Sequence, residues 1–200
     1  MKTNVLLVSK LALVGMLYLS PAIARADDGP CRDLPSQATL QSALSAAQAL
    51  VNGGFGLEMW GTVVNRDGIV CAVAFSGTNR GDQWPGSRVI SAQKANTANA
   101  FSLPGLALST ANLYTATQPG GSLFGLQASN PVNTDVAYGG NAANYGQHND
   151  PMVGGKIGGV NVFGGGLALY TAGGTLVGAV GVSGDSYALI TTSPGAREGR

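Results

Sequence analysis

The sequence offers few side chains for chemistry, and they are spread along the chain. It has one histidine, His148, in a stretch that also holds Tyr138, Tyr145, Asp150 and Met152. An imidazole can act as a general base, a proton shuttle or a metal ligand. A histidine-based triad would rest on this one loop residue; the alternative reading is a solvated loop histidine. The loop over residues 77–86, GTNRGDQWPG, groups Arg80, Asp82 and Trp84. Loops of this kind often carry function, and the alternative is a solvated turn with Trp84 folded over the sheet edge. Asp82, Asp135 and Asp150 are otherwise scattered acids, which are mostly surface charges. There is no P-loop, no H-E-x-x-H and no Cys/His zinc cluster. Gly164–Gly166 and Gly139-Gly140 open no βαβ unit, so neither is a dinucleotide fingerprint.

Residues 1–26 read as a secretory signal. Lys2 and Lys10 give a basic start, residues 11–19 are apolar, and Ala24-Arg25-Ala26 is an A-x-A cleavage site. The apolar run is short for a bilayer span; the rival reading is a retained anchor. No cysteine follows the cut directly, which argues against a lipoprotein. The expected mature chain is residues 27–200, or 174 of the 200 residues, one ordinary domain. Its expected location is periplasmic or secreted, with no membrane contact after cleavage. Removing Lys2, Lys10 and Arg25 from the 11 basic residues leaves 8 against 10 acidic, a net of about −2, which offers nucleic acid no basic footprint. Charged residues are 10% of the chain against a usual ~25%. So uncharged a surface suits burial in a homo-oligomer. Cys31 and Cys71 are the two cysteines. Export permits a disulfide, and both pairing and two free thiols remain open.

The elements that must position these residues are legible from pattern. Residues 34–52 read as a helix, capped by Ser36 and stopped by Gly53-Gly54, with Leu40, Leu44, Ala47 and Val51 on one face. Residues 56–65 and 69–76 read as two strands joined through Asn65-Arg66-Asp67-Gly68, a strong hairpin signal. A second helix is expected over 87–102, with Ser87 as its cap and Pro104 beyond its end. Residues 106–117 suggest a short third helix. The Gly- and Asn-rich stretch 118–159 reads as a long loop, and such loops are functional or mobile. Apolar runs at 167–170 and 176–182 flank Ala172-Gly173-Gly174 as a further hairpin. Its many glycines weaken a strand unless another backbone or a ligand comes close. This hairpin is therefore expected at the sheet centre, with something packed tightly on one face.

Two motifs in this order carry a family resemblance. Val177-Gly178-Ala179-Val180-Gly181-Val182-Ser183-Gly184 follows a Gly-Gly-x-x segment and a Gly turn, and Lys94-Ala95-x-Thr97-Ala98 lies on the expected second helix with Phe101 and Ser102 beyond. Together they resemble the GlcG/HbpS-like heme-binding family over about residues 34–185. Two departures stand out. Gly165-Gly166-Leu167 is followed by Ala168 where the family usually has proline. Residues 186–200 lack the C-terminal helix with which family members cover the sheet, and read as an altered or truncated end.

The resemblance implies an α+β single domain: an antiparallel sheet of about five strands with helices packed against it, in the order α-β-β-α-(α)-β-β-β. It implies an exported, oligomeric protein that binds heme noncovalently and serves heme or iron handling or redox sensing. Covalent c-type attachment is excluded, since no C-x-x-C-H occurs. A heme site needs an apolar slot, partners for the propionates and an axial ligand. Candidate walls are Met59, Trp60, Phe101, Phe163 and Tyr170. Candidate propionate partners are Lys94, Arg88 and Lys156. Candidate iron ligands are His148, Met152 and Tyr145. Thr97 is carried over from the family motif. Lys94 reads equally as a helix-surface charge or intersubunit partner, and Thr97 as a hydroxyl bonding back to its own turn. Two rivals remain: an accessory enzyme subunit acting on a small oxygenated metabolite, and a purely structural assembly protein. A pocket lined by Met59, Phe101 and Tyr170 would favour heme. A polar cleft holding Asp82, Arg80 and Lys94 would favour an enzyme.

Overall fold

The structure is a computed structural model, and it describes residues 29–50 and 56–184. The expected signal over 1–26, the Gly53-Gly54 helix stop and the atypical tail over 186–200 lie outside the described residues.

Helix α1 spans Gln37–Ala49, and its Ser36 cap accepts from Thr39 N at 3.2 Å. Of its expected face, Leu40 and Leu44 are buried. Strands β1 (Met59–Asn65) and β2 (Val70–Phe75) form the expected hairpin. The Asn65 side chain accepts from the Asp67 and Ile69 amides, and Gly68 takes φ +75° to close the turn. Helix α2 spans Ser87–Phe101. Its cap is Gly86, not the expected Ser87. Ser87 is the first helical residue, and its hydroxyl turns to the Ser183 hydroxyl at 3.4 Å. Only the second half of the expected third helix forms, as a 3₁₀ turn at Thr110–Leu113 running into α3 (Tyr114–Thr117). The long stretch to residue 159 is more structured than its composition suggests, with α4 (Thr134–Tyr138) and a 3₁₀ turn at Ala142–Asn144. Strands β3 (Gly166–Tyr170) and β4 (Leu176–Gly184) complete the elements.

The architecture is α+β, with one antiparallel sheet in the order β2-β1-β4-β3. Among the described residues the sheet has four strands rather than about five. Residues 154–159 supply the nearest thing to a further strand, but they make only isolated bridges, Ile69 to Lys156 and Val132 to Gly158. Gly154, Gly158 and Gly159 all take positive φ there, which breaks an extended ladder. Strand β4 does lie at the sheet centre, but β3 is an edge, and its Leu167 is 56% exposed.

The two sheet faces carry different helices. Gly61, Val63, Ala72 and Ala74 face α1, where Leu40 and Leu44 meet them. Trp60, Val64, Val73, Phe75 and Ala179 face α2 and pack on Val89, Ala92, Ala95 and Ala98. Gly181 and Gly166 are paired across β4 and β3 directly under α2. A Cβ at Gly181 would overlap the Ser91 carbonyl and the Ala95 amide, and one at Gly166 would overlap the Lys94 carbonyl. The glycine seam therefore exists so that the helix backbone can rest on the strand backbone. Among the described residues no helix is long and apolar enough to cross a membrane.

Candidate functional site

A large cavity among the described residues lies on the α2 face, beyond the first residues of β1. Strand pairing places Trp60 opposite Phe75, and their rings meet edge to face with centroids 5.2 Å apart. The segment after α4 folds down onto these rings. Gly146, at φ +79°, lies so close that a Cβ would overlap the Phe75 ring. Its position is fixed by Asp150, which is 2% exposed. That carboxylate accepts from Gly146 N at 2.7 Å and Met152 N at 2.8 Å. It also takes a bidentate contact from Arg88, with Arg88 Nε at 2.9 Å from Oδ2 and the second guanidinium nitrogen on Oδ1. Arg88 donates further to Ala137 O at 2.8 Å, and its guanidinium carbon lies 3.6 Å from the Tyr145 ring centroid. The Tyr145 hydroxyl donates towards Tyr138 O and Gly139 O.

This packing leaves a cavity of about 580 Å³ walled by Trp60, Pro85, Tyr138 and Tyr145, with Arg80 and Asn79 at its side. A second hollow of about 210 Å³ shares Asn79, Arg80 and Tyr145 and adds Phe75 and Gln147. The larger volume falls within the range of small-molecule sites, roughly 300–1,000 Å³. Trp60 is 1% exposed and its Nε1–H has no acceptor, the one such buried side-chain atom among the described residues.

The sequence-derived candidates do not share one pocket. Met59 points to the α1 face and lines a separate cavity of about 230 Å³ with Leu44 and Val182. Tyr170 lies at the other end of the sheet, its hydroxyl bonded to Leu103 O at 3.0 Å. Along β4 their partners are Gly184 and Leu176, so the two ends stand about 26 Å apart at ~3.3 Å per residue. Phe101 is half-buried at the end of α2. Phe163 is exposed and stacks loosely on Tyr114 at 6.1 Å. Thr97 is buried; its hydroxyl donates to Gln93 O at 2.7 Å and accepts from Asn161 N at 2.9 Å, pinning the approach to β3 onto α2. Lys94 is 7% exposed, and its Nζ donates to Val182 O at 3.1 Å and the Ser183 hydroxyl at 3.3 Å. Burial pushes that amine down to about 8.

Among the three iron-ligand candidates, Met152 is fully buried in the core and the Tyr145 hydroxyl is engaged. His148 is exposed, follows the cavity-lining Gln147, and makes no hydrogen bond among the described residues. Of the cations, Arg88 is sealed by Asp150 and Lys156 is exposed on the far side of the β1–β2 hairpin, beside Ile69. Asp150 itself corrects the surface-charge reading of the scattered acids. The polar cleft of Asp82, Arg80 and Lys94 does not form: Asp82 is tied into its own loop, and Lys94 lies between α2 and β4. Sequence reasoning named Trp60, Arg80 and Tyr145 separately and missed that they meet with Tyr138. The one available signal was the chemistry-rich loop at 77–86.

No curated protein matches the chain. The chain is similar to solved structures, among them the following two. The Klebsiella pneumoniae protein ORFY, of family DUF336, is 24% identical, with 75% of this chain and 77% of that chain covered and a TM-score of 0.46. The structure described as a PduOC:heme complex is 22% identical, with 75% and 80% covered and a TM-score of 0.46. The family description "Haem degrading protein HbpS-like" matches residues 36–189, and the chain belongs to that family.

Proposed function

We propose that this protein binds heme noncovalently in the Trp60–Tyr138–Tyr145 cavity, with the His148 imidazole as iron ligand, and that it works as an exported, self-associating protein of heme or iron handling. Family membership supports heme as the ligand class. The observation that carries the site is an aromatic cavity of about 580 Å³, and the exposed His148 is next in sequence to Gln147 of the adjoining hollow. Porphyrin is a flat apolar ring, and aromatic walls can stack on it and exclude water. A bound heme would supply a redox-active iron. Neutral imidazole is the nitrogen ligand such an iron takes most readily. In this reading Lys94 and Thr97 act by fixing α2 against β4 and the approach to β3, and Phe101, Met59 and Tyr170 stay outside the cavity.

The test is a hemin titration followed by Soret absorbance, with His148→Ala beside the parent protein. The sample is recovered from the periplasmic or culture fraction, so that its N-terminus at Asp27 and its mass in solution check export and oligomer state. A saturable, stoichiometric Soret shift that changes position or is lost in His148→Ala is expected. Saturable binding with an unaltered spectrum in the variant removes His148 as ligand. No saturable shift in folded parent protein removes heme.

A further inference from the structure

The geometry points to Arg80 as the residue that selects the ligand's charge: a guanidinium held out to take a carboxylate carried by a planar aromatic ligand. This rests on the heme reading and narrows it to recognition through a propionate. Arg80 borders both the larger cavity and the adjoining hollow. It is exposed and makes no hydrogen bond or ion pair among the described residues. The other cation nearby, Arg88, is spent on Asp150 and the Tyr145 ring. Neither cavity wall contains a carboxylate, and the acid of the same loop, Asp82, is turned to Thr78 and Asn79 rather than paired with Arg80.

The loop that carries Arg80 is built to keep it in place. One oxygen of Asp82 accepts from Thr78 N at 2.8 Å, the Thr78 hydroxyl at 2.7 Å and Asn79 N at 2.9 Å. The Asn79 side chain accepts from Gly81 N at 2.9 Å, and Gln83, 1% exposed, donates to Asn79 O at 2.7 Å. Residues on both sides of Arg80 are thus tied down while its side chain is left free. Ordering the loop in advance lowers the entropic cost of capturing a ligand. A planar, forked guanidinium suits a carboxylate, which it can grip through two parallel N–H donors.

The experiment compares hemin with its dimethyl ester, which keeps the ring and iron but has no free carboxylate. Both are titrated into the parent protein, Arg80→Gln and Arg80→Lys, with far-UV circular dichroism as the folding control. Since Arg80 is solvent-exposed, the substitutions are expected to leave the fold intact. Hemin affinity should fall about tenfold in Arg80→Gln, the size of one lost charge-assisted contact, and recover in part in Arg80→Lys. The ester should bind the parent about as weakly as hemin binds Arg80→Gln, and be indifferent to the substitution. Equal hemin affinity in parent and Arg80→Gln overturns the assignment while leaving heme binding intact. An equal loss for hemin and ester also overturns it, since Arg80 would then act by shape. Failure of the parent to bind hemin at all removes the heme reading, and this assignment falls with it.

Discussion

Lys94 sits where a charge is expensive. Its ammonium lies in the seam between α2 and β4 with two neutral acceptors, Val182 O and the Ser183 hydroxyl, and no ion pair among the described residues. Its Nζ lies beside Gly165, and its backbone carbonyl rests over Gly166. Burial lowers its pKa to about 8 from 10.5. Between those two values the unfolded chain holds a proton that the folded protein has released. Stability from this group therefore rises with pH across about 8 to 10.5, and its burial costs most below 8. The difference corresponds to roughly 3 kcal/mol at most. Lys94→Met should thus gain on the parent at pH 7 and lose that advantage by pH 10.5, as read from urea midpoints at pH 7, 9 and 10.5. A difference that stays flat with pH would show that the amine carries no such burden. The family motif placed Lys94 on the right helix. That its charge turns inward depended on contacts 88 and 89 residues away, which no local pattern encodes.

At the scale of elements, the segment from α4 to residue 155 is held by one buried carboxylate. Asp150 gathers Arg88, Gly146 N and Met152 N, and through Arg88 it fixes Tyr145 and the end of α4. Asp150→Ala would strand the Arg88 charge in an apolar setting and leave two amides without their acceptor. A loss of about 3–5 kcal/mol is expected in urea denaturation. Arg88→Met/Asp150→Ala should recover part of it, because no lone charge remains. A double variant less stable than Asp150→Ala would contradict this account. The hairpins and both long helices were legible in the sequence because turn residues and apolar spacing act over a few positions. This segment was not, because its organising contact joins residues 62 apart. Composition alone made a glycine- and asparagine-rich run look like a structureless loop, although its glycines serve tight turns and the close approach of Gly146 to Phe75.

The whole molecule divides into two faces with separate duties, and the disulfide tests that division. Cys31 and Cys71, left open by the sequence, are paired, with Cα atoms 5.6 Å apart and a separation of 40 in sequence. The bond ties the arm before α1 to β2, and Asn65 reinforces it by donating to Pro30 O at 3.1 Å. The closed loop contains all of α1 and β1, so the bond restrains the α1 face. The candidate cavity lies on the opposite face, under contacts made by α2, β1 and the α4 segment. Closing a loop of this length restricts the unfolded chain by about 4 kcal/mol. Cys31→Ser/Cys71→Ser should therefore unfold at a lower urea midpoint, with a loss of that order. Below its midpoint the variant should bind hemin as the parent does, because Trp60, Arg80 and Tyr145 keep their supports. Equal stability would mean that the unfolded arm stays near β2 without the bond. Weakened hemin binding in the folded variant would mean that the sheet transmits changes from the α1 face to the cavity, and the two faces would then be a single coupled unit.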